Sequence, residues 1–387
     1  MSEHILEVER LIWRGRGLAR LPTGKVVILS PGALPGEMVR AAVTQEKKDH
    51  VQARVEEVLQ PSSQRRPHPC PRAECCGGCT FGVLPQRLQL ELKLDLLRDT
   101  LRRHLPPGSK QAADLSCEVY PSRPAWRYRW RGRIQVRDGL PYLQGLQGSG
   151  LVYSPDCLLY ASPLGRSLPR IAADLQDGGQ DLAASPKDQQ LKAASHSGTI
   201  LLPFHQYEFD LELPPSVFFQ ANWALNQTLV DLVCSKLQDV RRVADMYSGA
   251  GNFSLPLALE GKRVLALDAD SQAIAAGRAN ASRLGLGNIQ FQALDLRKRD
   301  FLKRLSSFRP GALVLDPPRS GAGKALQGLQ ELAGLRRMLW VSCDVVNTCR
   351  DLAYFLGSGW RLQEMLLLDM FPQTWHMEVL FSLAKED

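Results

Sequence analysis

The chain has 387 residues, 44% of them hydrophobic, which is enough to bury a sizeable core and suggests two or three domains rather than one. No apolar run approaches the roughly eighteen residues that span a bilayer, and the polar opening Met1–Arg10 does not read as a secretory signal, so a cytoplasmic protein is expected. A formal charge of +8 favours polyanionic partners, and nine cysteines, an odd number in a long chain without a signal, argue against a disulfide framework.

From Ile5 to Leu59, short β-rich runs (Lys25–Leu29, Met38–Val43, Val51–Val58) are broken by Gly and Pro, with Arg14, Arg16, Arg20, Lys47 and Lys48 between them. This spacing fits a small OB-like barrel over residues 1–62. A Pro/Ser/Arg linker, Pro61–Pro71, leads into Cys70-x5-Cys76-x2-Cys79, whose tight turn carries Gly77 and Gly78. Three thiols so close, with Cys157 available as a fourth, read as a metal or cluster site; the spacing alone suits either zinc or a [4Fe–4S] cluster. It does not suit the Cys-x3-Cys-x2-Cys of radical enzymes, because Arg72 stands where the first cysteine would be.

Gln86–Leu105, with Leu88, Leu92, Leu97 and Leu101 among charges, reads as an amphipathic helix. Trp126–Arg137 alternates Arg127, Arg129, Arg131 and Arg133 with Trp126, Tyr128 and Trp130, so a strand would present arginines on one face and aromatics on the other. That is either an RNA-facing basic stripe or a solvated edge strand over a core. Ile171–Thr199 has little periodicity and is expected to be a loop or insertion. Residues 63–213 thus form a central α+β region.

Over residues 214–387 strand-like runs alternate with helical ones: Val243–Tyr247, Arg263–Leu267, Ile289–Ala293, Ala312–Leu315 and Met338–Val341. The rhythm predicts a doubly wound parallel α/β sheet with ligands at the carboxyl ends of its strands. Glu364–Met370 and Met377–Leu383 lie too close for a helical crossover and should form a closing antiparallel hairpin. The first strand runs into Tyr247-Ser248-Gly249-Ala250-Gly251-Asn252, and Asp268 ends the second, placed for ribose hydroxyls. Ser254 replaces the third glycine of a dinucleotide fingerprint, so a nucleoside without pyrophosphate, S-adenosylmethionine, fits better than NAD.

Three segments should converge at the strand ends: Asp316-Pro317-Pro318-Arg319, Ser342-Cys343 and His376-Met377-Glu378. Carbon 5 of uracil is too weak a nucleophile to take a methyl group from a sulfonium unaided, so a thiolate must first add at carbon 6. Cys343 is the candidate nucleophile and Glu378 the base that later removes the carbon-5 proton. Cys349 is a minor rival.

Together these residues resemble the RNA uracil-5 methyltransferase family of the RumA and TrmA type. The resemblance covers nearly the whole chain: Gly15-Arg16-Gly17 and Leu34-Pro35-Gly36-Glu37, the cysteine cluster, Phe218-Phe219-Gln220-Ala221-Asn222, the Gly249 loop, Asp316-Pro317-Pro318-Arg319, Ser342-Cys343 and Asp369–Glu378. It implies a TRAM-like barrel, a class I (Rossmann-like) methyltransferase domain and a [4Fe–4S] cluster on Cys70, Cys76, Cys79 and Cys157. It further implies S-adenosylmethionine contacts at Gln220, Tyr247, Asn252, Asp268 and Asp316; Gly249 and Gly251 let the backbone approach the nucleoside, and Asp295, by its position after the third strand, is expected on the adenine side. The implied partner is structured RNA, ribosomal rather than transfer, bound by a monomer that needs no protein partner. The chain departs from the resemblance at Asp344-Val345, where Asn-Pro is usual. A cytosine-5 RNA methyltransferase and a non-catalytic cluster-bearing RNA-binding module remain the alternatives.

Overall fold

The computed structural model describes residues 2–298 and 300–385. Its first six strands, β1 (Glu3–Glu7), β2 (Arg10–Ile12), β3 (Arg16–Arg20), β4 (Val26–Pro31), β5 (Met38–Glu46) and β6 (His50–Gln60), form one sheet in the order β1-β5-β6-β4-β3-β2. β1 and β2 are two halves of one interrupted strand. At the break Val8 N–H donates to Glu37 O (2.9 Å) and Glu9 N–H to Leu18 O (2.8 Å), so a single strand serves both edges and the sheet closes on itself. Alternate residues such as Leu6, Val27, Leu29, Val39 and Val51 fill its interior.

Helix α1 (Gln86–His104) and strand β7 (Cys117–Tyr120) follow. The central sheet holds β8 (Arg131–Arg137), β9 (Leu140–Gln144), β10 (Leu151–Tyr153), β11 (Gly178–Ala184) and β12 (Leu191–Ala193) in the order β10-β9-β8-β11-β12. Helices α2 (Ser162–Arg166) and α3 (Leu168–Ala173) cover one face over Ile134, Val136 and Leu182. A hairpin, β13 (Ile200–Phe204) with β14 (Phe209–Leu213), leads to α4 (Trp223–Ser235).

The last part contains β15 (Arg242–Met246), α5 (Ser254–Leu259), β16 (Arg263–Asp268), α6 (Ser271–Arg283), β17 (Ile289–Ala293), α7 (Asp300–Phe308), β18 (Ala312–Leu315), β19 (Arg337–Ser342), α8 (Val345–Leu356), β20 (Trp360–Leu368) and β21 (Glu378–Lys385). They build an eight-stranded sheet, β17-β16-β15-β18-β19-β21-β20-β7, parallel except for β21. Both faces are buried: Val243, Val264, Val314 and Leu339 enter one core, Ala244, Leu265, Leu313 and Trp340 the other.

Three segments differ from the sequence reading. Only Arg131–Arg137 of the Arg/aromatic stripe is strand. Before it, Arg127 N–H donates to Leu158 O, Arg129 N–H to Leu159 O and Trp130 N–H to Ala221 O, so the backbone changes partners and no single ladder forms. The stretch expected to be a loop contains β11, which lies between β8 and β12 inside the central sheet. Only its last three residues, Leu182, Ala183 and Ala184, are buried, and the glycines and alanines of the strand leave no apolar alternation to read. The closing hairpin is not the sheet's edge either: β7, from the region placed in the middle of the chain, pairs parallel to β20 beyond it.

Helix α1 buries Leu97 and Leu101 of the expected stripe, but in its first turns Gln89 and Lys93 are buried in place of Leu88 and Leu92. Lys93 Nζ donates to Asp369 (2.6 Å) and to Phe371 O (3.0 Å), while Gln89 exchanges hydrogen bonds with the backbone and side chain of Gln373 at 2.8 Å each. Both members of the Lys93–Asp369 pair are fully buried. Removing one partner strands the other charge, so Lys93→Ala is expected to lower unfolding free energy by about 3–5 kcal/mol. Urea unfolding checks this; a loss typical of an exposed ion pair would contradict it.

Candidate active site

The β15–α5 turn is tightly wound, with Tyr247, Gly249 and Gly251 all at positive φ (65°, 52° and 99°). Glycine is required at 251, where a Cβ would approach the Phe291 ring to 2.9 Å. The turn is held from β16: the Asp268 carboxylate accepts from Gly249 N–H and from Asp270 N–H, each at 2.8 Å.

Above these strand ends opens a cleft of about 800 Å³. Gln220, Tyr247, Gly249, Asp268, Asp295, Asp316, Cys343 and Glu378 all line it. Gly251 and Asn252 do not; the Asn252 amide exchanges hydrogen bonds with the Asn226 amide at 2.8 and 3.0 Å. The cleft also takes in Arg129, Arg131, Arg133, Phe218 and Arg319. Phe218 is 63% exposed at its mouth, with Arg131 packed on its ring at 4.7 Å. Its place beside Gln220 was the available signal in the sequence.

β21 runs antiparallel to β19 with Val379 opposite Ser342, so the next pair in register is Cys343 and Glu378. Glu378 is buried, and its Oε1 has no hydrogen-bond partner among the described residues. Burial, and then the charge of Asp316, raise its pKa well above the ordinary value, against the pull of Arg319. Asp316 is pushed up to about 7 by burial, opposed by the Gln220 hydrogen bond (3.3 Å) and reinforced by Asp268. The Cys343 thiol is pushed up to about 12 by burial and by Glu378 and Asp316, with Arg319 opposing.

A second cavity, about 560 Å³, is lined by Cys70, Cys76, Cys79 and Cys157, with Trp375. Arg129 and Arg133 line both cavities. Burial and the neighbouring cysteines raise the Cys76 and Cys79 thiols. Among the described residues no three His, Cys, Asp or Glu side chains converge on one metal position.

A family model described as tRNA (uracil-5-)-methyltransferase matches residues 179–386, more than half of the chain. The chain belongs to this family. Two relatives named 23S rRNA (uracil(1939)-C(5))-methyltransferase RlmD are similar end to end: that of Shewanella sp. (strain ANA-3) is 30% identical over 99% of this chain and 96% of its own. That of Xanthomonas oryzae pv. oryzae (strain KACC10331 / KXO85) is 32% identical over 94% and 93%. The crystal structure of Pyrococcus abyssi tRNA (uracil-54, C5)-methyltransferase with S-adenosyl-L-homocysteine shares the fold, with a TM-score of 0.74 at 20% identity over 98% of this chain and 100% of that one.

In this uracil-5 methyltransferase the two candidate thiols are easily told apart. Cys349 is fully buried in the core on α8, whereas Cys343 opens into the cleft. The departure at Asp344-Val345 is absorbed by the helix start. Asp344 caps α8 by accepting from Asn347 N–H (3.1 Å), a task Asn does equally well, and Val345 takes the first helical position with its side chain buried. Asp344 is also the smallest of the influences on the Cys343 thiol. No described helix of the methyltransferase is long and apolar enough to cross a membrane.

Iodoacetamide labelling with peptide mass mapping separates the thiols. In the folded enzyme Cys343 is expected to label slowly near neutral pH and faster as pH rises, with Cys349 silent until the protein is denatured. Labelling of Cys349 ahead of Cys343 would contradict the assignment.

Proposed function

We propose that the protein methylates carbon 5 of a uridine in structured ribosomal RNA through a transient bond between Cys343 and carbon 6. The observation that carries the reading is the register that sets Cys343 beside the buried Glu378 in a cleft lined by carboxyls. The ribosomal substrate follows the names of the end-to-end relatives, and a cytoplasmic monomer suits it.

The Cys343 thiolate adds to carbon 6, and the electron pair of the 5,6 double bond makes carbon 5 nucleophilic, with charge developing on the carbonyl oxygen at carbon 4. Bound S-adenosylmethionine supplies the methyl group as an electrophile. Glu378 then removes the proton from carbon 5, the double bond re-forms and the Cys343 thiolate leaves. Asp316 with Gln220, and Asp268, suit the cationic and ribose parts of the methyl donor; Asp295 lies on the adenine side. The donor is a cation, and Asp268 raises the Asp316 pKa by like-charge repulsion that a bound cation relieves. A nucleotide must leave its stack to reach Cys343, so the target lies in a loop or junction.

Cys70, Cys76, Cys79 and Cys157 are assigned to a [4Fe–4S] cluster. Four thiols sharing one cavity and repelling one another as thiolates are a donor set that metal binding stabilises. The cluster would brace the wall formed by Arg129 and Trp375. The N-terminal sheet is assigned as a TRAM-like module gripping more distant RNA.

RNA carrying 5-fluorouridine at the target should trap a covalent complex that survives denaturing electrophoresis, because fluorine cannot leave as a proton does. 5-Fluorocytidine RNA should not; trapping by the cytidine analogue alone would replace uracil with cytosine as the substrate. The pH profile offers a second check. Arg319 lowers the Cys343 pKa, so Arg319→Met is expected to shift the rise in methylation rate to higher pH and to cost about tenfold near neutrality. A profile that stays in place would show that the thiolate does not limit the reaction.

A further inference from the structure

Along β8, Ile134 and Val136 point into the core beneath α2 and α3, so Arg133, Gln135 and Arg137 occupy the opposite face. Register carries that outer face across the neighbouring strands. Gln135 stands opposite Tyr142 on β9, and Tyr142 opposite Tyr153 on β10. The two tyrosine rings meet edge to face, 5.8 Å between centroids at 62°. Tyr153 is 43% exposed and the Arg133 side chain 64%.

On the other side of β8, Gln135 faces Gly179 of β11. A Cβ at Gly179 would lie 2.6 Å from Arg133 Nη2, so the glycine lets the guanidinium lie close against the sheet. The near end of the face is continuous with the catalytic cleft, because Arg131 and Arg133 line it together with Cys343. Two acids border the face: Asp181 lies 3.7 Å from Arg133, and at the far end Asp177 accepts from Asp138 N–H (3.2 Å) just beyond Arg137.

A row of arginines leading out of a base-modifying cleft, then a half-buried tyrosine ring in contact with an exposed one on an open sheet, matches the chemistry of unpaired RNA. Cationic groups follow its phosphates, and flat side chains stack its bases. We propose that the outer face of the central sheet is a stacking platform for unpaired nucleotides flanking the target uridine, with Tyr142 and Tyr153 as the base contacts and Arg133 and Arg137 on the backbone. This rests on the reading of the protein as an RNA methyltransferase and adds where the flanking strand runs. It makes the two tyrosines determinants of substrate binding rather than of chemistry.

The test uses the full-length protein and single-stranded RNA oligonucleotides carrying the target uridine, with 2-aminopurine placed at successive positions beside it. Wild-type protein is expected to quench the fluorescence at one or two positions through stacking. Tyr142→Ala and Tyr153→Ala should lose that quenching and bind about tenfold more weakly, with thermal melting and S-adenosylmethionine affinity unchanged. The corresponding Phe variants should keep it, since the ring and not the hydroxyl does the stacking. Absence of quenching at every position in the wild type, or equal quenching and affinity in the Ala variants, would overturn the platform and leave this face to another partner. Quenching without any 5-methyluridine formed would sink the proposed activity while leaving the platform standing.

Discussion

The insertion of β21, antiparallel, between β19 and β20 is the constraint on which the site depends. Parallel strands bring only their carboxyl ends to the ligand edge of a doubly wound sheet. An antiparallel strand brings its beginning there, and Glu378 is the first residue of β21. The same register that completes the ladder therefore delivers a buried carboxyl next to Cys343, the residue that follows β19. To reach that position the chain must leave β20, turn through residues 369–377 and re-enter the sheet. That turn is held by buried polar groups from elsewhere: Lys93 and Gln89 of α1, Tyr128 Oη donating to Pro372 O at 3.2 Å, and Asn222 donating to Met370 O at 3.3 Å. Such contacts contribute little as net stability but are costly to leave half-made, which suits a loop that must occupy one position.

Burial dominates the electrostatics of the cleft. It holds the Cys343 thiol and the nearby carboxyls toward their neutral forms, and their mutual repulsion acts in the same direction. Arg319 is the cation that opposes this for both Cys343 and Glu378. In the proposed mechanism the thiol must ionise before it adds to the ring, and the positive charge of the methyl donor would favour that ionisation. The His376 pKa is lowered to about 3 by burial and surrounding cations, and its ring packs on Trp375 at 3.8 Å, which keeps this neighbour of Glu378 toward its neutral form.

Much of this was legible in the sequence where local pattern and chemistry coincide. The alternation from Val243 to Val341 and the residues of the catalytic edge follow from period and strand-end position. The β7 edge strand did not announce itself, because Cys117–Tyr120 is four residues long and its partner lies far along the chain. β11 was hidden by small residues, and the ladder expected at Trp126–Trp130 was replaced by hydrogen bonds to two separate segments. The burial of Lys93 and Gln89 was not legible, since nothing local in the helix indicates that buried partners near Asp369 await them. Asn252 followed a motif, yet its amide is engaged with Asn226.

The pairing of Cys343 with Glu378 is tested most directly by Glu378→Gln with unmodified RNA and S-adenosylmethionine. With no base to take the carbon-5 proton, intact-protein and peptide mass spectrometry should find methylated RNA still bonded to Cys343. Free 5-methyluridine product at the wild-type rate, with no adduct on that cysteine, would contradict the account.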